Sequence, residues 1–333
     1  MDGLGEQGAT PGVTVVIAAY NQRWCLENTV ASVLHDQGPI RCVIVVDACP
    51  FATGDLAREI AEANPGVVEA IELTTNLGQS GARNVGTARV TTPWILYLDG
   101  DDLLQPGAIP KLLATARDAQ GETTAVVGRF VRTDHGGEVL RFDRRLSSVG
   151  QHVVFRNGSF ESAPLEIESF LTDFRIGPPG TWLLKTEAVR RLGAFDPSMR
   201  SNEDLEFMAR VLERGTVVES DEVVLAKRMH PKQQTQDTVL QRWTHLKACW
   251  LVLRRSTEES RPAVLRGIHS CFVLRSRVTV AYGTWIAQVP KSLVWRAVAA
   301  SVAPAGRIEL VMRRWRWPSS SLPAAPAEAS YVS

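Results

Sequence analysis

Trp94-Ile95-Leu96-Tyr97-Leu98-Asp99-Gly100-Asp101-Asp102 is the stretch that indicates the fold. A short apolar run ends in three carboxylates, which is typical of a buried strand in an α/β sheet that releases acidic residues into a crevice. Clustered carboxylates repel one another, so they need a compensating cation. Hard oxygen ligands of this kind suit Mg²⁺ or Mn²⁺ shared with substrate phosphates. The alternative is an ordinary Asp-rich turn after a strand.

Apolar runs and helical segments alternate on both sides of this stretch. The alternation predicts the α/β class, with a Rossmann-like, doubly wound and mostly parallel sheet flanked by helices, followed by a helical C-terminal extension. Residues 133–179 show no clear pattern. The expected strands are 13–19, 41–47, 67–73, 94–98, 124–131 and 217–227. The expected helices are 23–37, 55–63, 79–89, 107–119, 187–192, 202–214 and segments from 241 onward.

Charge is unevenly distributed along a chain whose net charge is only +1. Residues 241–317 hold 14 Lys and Arg against 3 Asp and Glu, together with six of the nine Trp. This composition favours peripheral contact with an anionic membrane face; the alternative is a helical cap with a solvated basic face. Without an accompanying motif, no nucleic-acid partner is expected. The predicted divisions are a flexible N-terminus at 1–12, the α/β domain at 13–238, a basic helical region at 239–317 and a disordered tail at 318–333.

The five cysteines include no Cys-x-x-Cys pair. This predicts reduced thiols in a cytoplasmic protein, with Cys25 and Cys42 as small core residues. The N-terminus lacks the basic and then apolar pattern of a signal peptide. The longest uncharged run of the C-terminal part, residues 278–290, is too short to span a bilayer. The expected location is therefore the cytoplasm or the cytoplasmic face of the membrane.

Two more segments carry residues suited to ligand binding. Asp47 ends a buried strand, where its carboxylate could accept hydrogen bonds from a nucleotide base, although a turn or helix-capping Asp would look the same. Residues 76–86 begin Asn76-Leu77-Gly78 and contain small residues that would let a helix start close to a ligand. Arg83 in this segment offers a planar fork suited to anions. The dinucleotide fingerprint GxGxxG is absent.

The segment NLGQSGARNVGTARVTTPWILYLDGDD, together with VVIAAYN, RCVIVVD and a later NED, resembles the core signature of family 2 glycosyltransferases with the GT-A fold. The resemblance covers most of residues 13–235 in the expected order. It implies a nucleotide-sugar donor, a divalent metal (Mn²⁺ or Mg²⁺) and usually inversion at the anomeric carbon. It also implies that residues 13–131 form the nucleotide-sugar half of the catalytic domain and residues 132–238 the acceptor half.

On the donor side, Asp99-Gly100-Asp101 matches the family's DxD motif. The match implies that Asp99 lies near the ribose and the metal, that Asp101 is the main metal ligand, and that Asp102 supports them. Gly100, Asn76, Gly78 and Arg83 are further expected donor-site positions.

The first nucleotide-binding loop of the family matches Ala19, Tyr20 and Asn21. Asp47 matches the first acid of the family's DDGS-like segment, which contacts the base. The chain departs from the family at this point, because Asp47-Ala48-Cys49-Pro50 lacks the second acid, the Gly and the Ser. The identity of the nucleotide is therefore open, and a UDP-sugar is favoured.

On the acceptor side, residues 193–196 (GAFD) followed by Asn202-Glu203-Asp204 resemble the family's GxFD…ED pattern. Asp204 matches the catalytic base of inverting members, which must take a proton from the acceptor hydroxyl. Glu203 is expected to orient or support it; the alternative is a pair of acids at a helix N-terminus. His230, in an RxH segment, is expected to coordinate the metal or touch the diphosphate.

These features predict an enzyme, a metal-dependent inverting glycosyltransferase of polysaccharide, glycolipid or other glycoconjugate biosynthesis, including cell envelope polysaccharide. Its acceptor would be a glycan or a lipid-linked molecule, and its oligomeric state is open. One alternative is a sugar nucleotidyltransferase, but the loop AAYNQRW after the first strand lacks the Gly-rich sequence expected for that class. Another is a non-catalytic nucleotide-sugar or membrane-binding relic of the fold, which the joint presence of Asp99, Asp101 and Asp204 argues against.

Overall fold

The computed structural model describes residues 12–36, 38–134, 138–140, 166–173, 177–230 and 238–270. The strands are β1 (Val13–Ala19), β2 (Ile40–Val46), β3 (Val68–Glu72), β4 (Trp94–Asp99), β5 (Leu103–Leu104), β6 (Thr123–Thr133), β7 (Trp182–Lys185) and β8 (Thr216–Arg228). The α-helices are α1 (Leu26–Leu34), α2 (Thr53–Ala63), α3 (Gly78–Arg89), α4 (Ala108–Asp118), α5 (Ile167–Asp173), α6 (Thr186–Leu192), α7 (Glu203–Arg214) and α8 (Thr238–Arg255). Residues 261–270 are also helical. The expected tail at 318–333 and the expected features at 1–11 and 271–317 lie outside the described residues.

The strands form one mixed sheet in the order β3-β2-β1-β4-β7-β6-β8-β5. β3, β2, β1 and β4 are parallel neighbours, as the strand–helix alternation predicted. β6 and β8 are also parallel. The expectation of a doubly wound sheet is incomplete beyond β4, because β7 lies antiparallel between β4 and β6 and β5 lies antiparallel against β8. β7 has four residues and β5 has two, so neither shows a periodicity that sequence patterns can detect.

Helices cover both faces of the sheet, which explains the almost uninterrupted apolar sequence of the central strands. On β1, Val16 and Ala18 face a core that includes side chains of α3, α5, α6, α7 and α8. Val15 and Ile17 face the opposite core, which includes side chains of α1, α2 and α4. The alternation follows from the two-residue period of a strand, and it holds the strand ends rigidly at the edge of the sheet.

Helix α8 belongs to the same core as the acceptor-side segment. Its buried residues Ala248 and Val252 join the cluster that contains Tyr97 and Phe195. Its polar face binds the loop before α7, where Lys247 Nζ donates to the Ser198 carbonyl over 2.5 Å. Among the described residues, no helix combines the length and apolar character that crossing a membrane requires.

Gly86 sets the distance between α3 and the sheet. A Cβ atom at this position would collide with Cγ1 of Val16 and lie 3.3 Å from Cγ2 of Val45. The close approach places the first turns of α3 beside the ends of β1, β2 and β4. A side chain here would push the helix outward.

We expect Gly86→Ala to lower the free energy of unfolding by about 1–3 kcal/mol, the usual range for overpacking a core. The gain in helix propensity, about 1 kcal/mol, offsets only part of this loss. Urea unfolding followed by circular dichroism measures the difference. Gly12→Ala is the control, because nothing lies within 4 Å of a Cβ atom at that position. Equal stability of the two variants would contradict the tight helix–sheet contact.

Candidate active site

The carboxyl ends of β1, β2 and β4 lie side by side at one edge of the sheet. The register pairs Ala19 of β1 with Val46 of β2, and Ala18 of β1 with Asp99 of β4. The Asp47 amide donates to the Ala19 carbonyl over 3.0 Å. The predicted donor-site residues at the ends of these three strands are therefore neighbours, as parallel pairing requires.

The loop after β1 is exposed and is tied to the loop after β2. Tyr20 is 45% exposed, and Asn21 has a left-handed backbone with a φ of 55°. The Asn21 amide donates to Cys49 Sγ over 3.1 Å, and Arg23 Nη1 donates to the Ala52 carbonyl over 3.1 Å. Hydrogen bonds thus join the two loops that were predicted to contact the nucleotide.

Asp47 is buried and holds the segment that leads into α3. Its Oδ1 accepts a hydrogen bond from the Leu77 amide over 2.7 Å, and Asn76 Nδ2 donates to its carbonyl over 3.1 Å. Burial raises the pKa of Asp47, while the Leu77 and Gly78 amides lower it. Gly78 has a φ of 72°, a conformation that favours glycine. One carboxylate oxygen of Asp47 therefore has a structural partner already.

Arg83 is the buried centre of the site. Its guanidinium donates to Asp99 Oδ1 over 2.6 Å and to Glu203 Oε1 over 2.7 Å, and its side chain is 1% exposed. Gln79 Nε2, one turn earlier on α3, donates to the same Asp99 oxygen over 2.8 Å. The guanidinium also lies 5.1 Å from the centre of the Phe195 ring. Arg83 thus joins the donor-side DxD segment to the acceptor-side helix α7 instead of facing solvent.

The three acids of the DxD segment form a compact cluster. Asp99, Asp101 and Asp102 each place one carboxylate oxygen within 4.8 Å of the others. Between them, a Cβ atom at Gly100 would meet Oε1 of Gln22, so a side chain there would displace the flexible end of Gln22. Asp99 and Asp101 keep part of their surface accessible, whereas Asp102 is buried.

Asp101 and Asp102 are held from β8 and the segment after it. His230 Nε2 lies 2.8 Å from Asp101 Oδ2. Arg228 donates its backbone N–H to Asp102 Oδ1 over 3.1 Å. Burial, followed by the charges of Asp101 and Asp99, raises the pKa of Asp102 well above its usual range. The carboxylates of the DxD segment therefore repel one another.

Asp204 lies in the first turn of α7 beside Glu203. Its Oδ1 accepts a hydrogen bond from the Leu205 amide over 2.8 Å, and its side chain is only partly buried. Burial raises the pKa of Asp204, and the charge of Arg83 lowers it. Burial also raises the pKa of Glu203 to about 7, against the lowering by Arg83. Asp204 is thus the less buried of the two acids, and it is the one that a substrate could reach.

The charges of the site fit a divalent cation. The described acids that influence one another here are Asp99, Asp101, Asp102, Glu203 and Asp204, and the permanent cations beside them are Arg83, Lys227 and Arg228. The carboxyl groups outnumber these cations, and a divalent ion would reduce the repulsion among the carboxylates. The oxygen donors of the DxD segment suit Mg²⁺ or Mn²⁺.

Some supporting residues were not predicted from the sequence. Gln79 could have been found, because it precedes Arg83 by four residues and so shares its helix face. Arg228 lies in the RxH segment, but neither its contact with the DxD segment nor that of Gln22 could be predicted, since each reaches the DxD segment from a different part of the fold. Long-range contacts of this kind depend on tertiary structure.

Residues 14–192 match the family model described as Glycosyl transferase family 2. Succinoglycan biosynthesis protein ExoO of Rhizobium meliloti is 37% identical over 117 residues, which cover 35% of this chain and 32% of that protein. Pre-mycofactocin glycosyltransferase of Mycobacterium tuberculosis is 26% identical over 261 residues, covering 77% of this chain and 50% of that protein. The chain thus spans about a third to a half of the length of these curated relatives.

Solved structures share the architecture. S. aureus TarS 1-349 in complex with UDP has a TM-score of 0.63 at 14% identity, covering 90% of this chain and 82% of that one. Mannosyltransferase PcManGT from Pyrobaculum calidifontis, in complex with GDP-Man and Mn²⁺, has a TM-score of 0.58 at 15% identity, covering 91% and 84%. At these identities the similarity shows the fold, and it confirms the predicted GT-A architecture.

Proposed function

Because the chain belongs to glycosyl transferase family 2, we propose that it is a metal-dependent, inverting transferase that moves a sugar from a nucleoside-diphosphate sugar to an acceptor hydroxyl. The observation that carries this proposal is the Arg83 bridge. It fixes Asp99, on the donor side, against Glu203, the residue before Asp204 on the acceptor side. The family assignment also disfavours the nucleotidyltransferase alternative.

The donor would lie across the ends of β1, β2 and β4. Ala19 is buried at the end of β1, the next two residues, Tyr20 and Asn21, are exposed, and the exposed Asn76 donates to the Asp47 carbonyl at the end of β2. TarS was solved with UDP and PcManGT with GDP-Man, so the shared fold accepts either base. We favour a UDP-sugar, and the departure at residues 48–50 makes the base an experimental question.

Asp99 and Asp101, with His230, would hold Mn²⁺ or Mg²⁺. When bound, the ion would neutralise charge on the leaving nucleoside diphosphate. The protein's own contribution is to orient the carboxylates. Gln79 and Arg83 donate hydrogen bonds to Asp99, and His230 Nε2 lies within hydrogen-bond distance of Asp101. Asp102 is buried and would support the DxD segment through its hydrogen bond with the Arg228 backbone N–H.

Asp204 would act as the general base. It would accept the proton of the acceptor hydroxyl as that oxygen attacks the anomeric carbon, on the face opposite the leaving group, through an oxocarbenium-like transition state. A carboxylate whose pKa is raised by burial is a stronger base than an exposed Asp. One displacement of this kind inverts the anomeric centre without a covalent enzyme intermediate.

The acceptor would be a growing glycan or a lipid-linked molecule of polysaccharide or other glycoconjugate biosynthesis. One relative is a succinoglycan biosynthesis protein, which supports this class. The basic composition of residues 241–317 would favour contact with an anionic membrane that carries such an acceptor. We propose a cytoplasmic location, at or near the inner face of the membrane.

Calorimetry with UDP-, GDP- and dTDP-sugars, with and without Mn²⁺, tests the donor site. We expect one donor to bind in a metal-dependent manner, and Asp101→Ala to weaken its binding by about 10–100-fold, since Asp101 is the proposed main ligand. Asp118→Ala is the control, because Asp118 is an exposed acid far along α4. If donor affinity is the same with and without Mn²⁺ and is unchanged in Asp101→Ala, the proposed role of the metal in donor binding is wrong. Binding without transfer to any acceptor would favour the relic alternative.

A further inference from the structure

The end of β8 lies beside the DxD segment because of the short strand β5. Leu103 pairs with Ala226 and Leu104 with Leu225 in antiparallel register. Extending that register by two residues brings Asp101 opposite Arg228. The sequence positions are 127 residues apart, so only this pairing brings them together.

Arg228 holds the backbone of the DxD segment from this position. Its Nε donates to the Asp101 carbonyl over 2.6 Å, and its backbone N–H donates to Asp102 Oδ1 over 3.1 Å. Arg228 itself is buried, and its guanidinium lies 5.5 Å from the centre of the Trp24 ring. The Trp24 ring in turn meets the His230 ring edge-on at 5.2 Å. The same residue therefore contacts both the DxD backbone and the aromatic neighbour of His230.

Helix α1 completes the arrangement from the opposite direction. The Thr29 hydroxyl accepts a hydrogen bond from Arg228 Nη2 over 3.0 Å and donates to the Gly100 carbonyl over 3.0 Å. The Cys25 thiol donates to the same carbonyl over 3.2 Å. Thr29 is fully buried, so its hydroxyl serves these protein partners and not solvent.

We propose that Arg228 and Thr29 form a clamp on the Gly100–Asp101 backbone that positions the Asp101 carboxylate for its divalent cation. The inference rests on the proposed function, because it concerns the same metal site. The Gly100 carbonyl accepts a hydrogen bond from Thr29 of α1, and the Asp101 carbonyl accepts one from Arg228 of β8. Both donors are buried side chains. Residues that orient metal ligands in this way typically change metal affinity by about 10–100-fold when removed. Arg228 and Thr29 are thus positioning residues.

Titration of the full chain with Mn²⁺ alone, followed by electron paramagnetic resonance, tests the clamp without turnover. Thr29→Val keeps the shape but removes both hydrogen bonds, and we expect about tenfold weaker Mn²⁺ binding. Thr29→Ser keeps the hydroxyl and should bind Mn²⁺ as the wild type does. Thr14→Val is the matched control, since Thr14 is also buried and hydrogen-bonded but lies near the opposite end of β1. Arg228→Lys, which keeps the charge and loses the planar fork, should weaken binding by about 10–100-fold.

Transfer assays on the same variants separate the possible failures. We expect saturating Mn²⁺ to restore the kcat of Thr29→Val, which a general loss of structure would not allow. Equal Mn²⁺ affinity of wild type and Thr29→Val would overturn the clamp alone. A wild type that binds no Mn²⁺ would overturn both the clamp and the metal dependence. Weaker Mn²⁺ binding by Thr29→Val in a protein that transfers no sugar would support the clamp and remove the transferase proposal.

Discussion

Asp204→Asn should lower kcat by about 10²–10⁴-fold, the usual contribution of a general base, and leave donor binding intact. The amide keeps the size of the side chain and can still accept the Leu205 N–H hydrogen bond. It cannot accept the proton of the acceptor hydroxyl. Single-turnover transfer with saturating donor, beside calorimetry of donor binding, distinguishes the loss of chemistry from the loss of binding.

The pH dependence of kcat gives an independent readout. Because burial raises the pKa of Asp204, the acid limb of the profile should lie above the ordinary range for Asp. Activity should fall as the pH drops through that pKa, since the protonated carboxyl is no longer a base. Asp204→Asn should lose this limb, whereas Asp221→Asn, an exposed acid on β8, should keep the wild-type profile. An unchanged kcat in Asp204→Asn would assign the base to another group.

The central strands were predictable because their residues carry a strong local signal. β1, β2 and β4 are apolar runs buried on both faces, and each ends in residues that line the site. The position of β7 was not predictable in the same way. β7 has only four residues, too few to show a period, and α5 likewise fell in a segment without a clear pattern.

The candidate site shows the same division between local and long-range information. Motif spacing predicted roles for Asp99, Asp101 and Asp204 because such spacing reflects strand and helix ends. Their partners were harder to identify, since Arg83 reaches Glu203 across 120 residues and Arg228 reaches Thr29 across 199. A sequence pattern can identify a charged residue, but only the fold decides which opposite charge it meets. Arg83 was therefore expected near the donor, while the structure places it between two carboxylates.

Arg83→Met tests the energetic importance of that position. Removing one partner of a buried ion pair typically costs about 3–5 kcal/mol, because the remaining charge stays buried without compensation. Methionine fills most of the space but leaves Glu203 and one oxygen of Asp99 without their charged partner. We expect the free energy of unfolding, measured in urea, to fall by this amount. Arg89→Met on the exposed face of the same helix should change it by less than about 0.5 kcal/mol.

A double-mutant cycle shows whether the loss comes from the buried charge. If it does, adding Glu203→Gln to Arg83→Met should recover part of the stability, with a coupling of about 0.5–3 kcal/mol between the two positions. The reason is that the neutral amide does not need a cation in this buried site, where burial already raises the pKa of Glu203 to about 7. Additive effects of the two substitutions would mean that the Arg83–Glu203 pair contributes no coupling energy, and that the loss in Arg83→Met comes from Asp99 or from packing. In that case the bridge between the donor and acceptor halves would be a contact without energetic coupling.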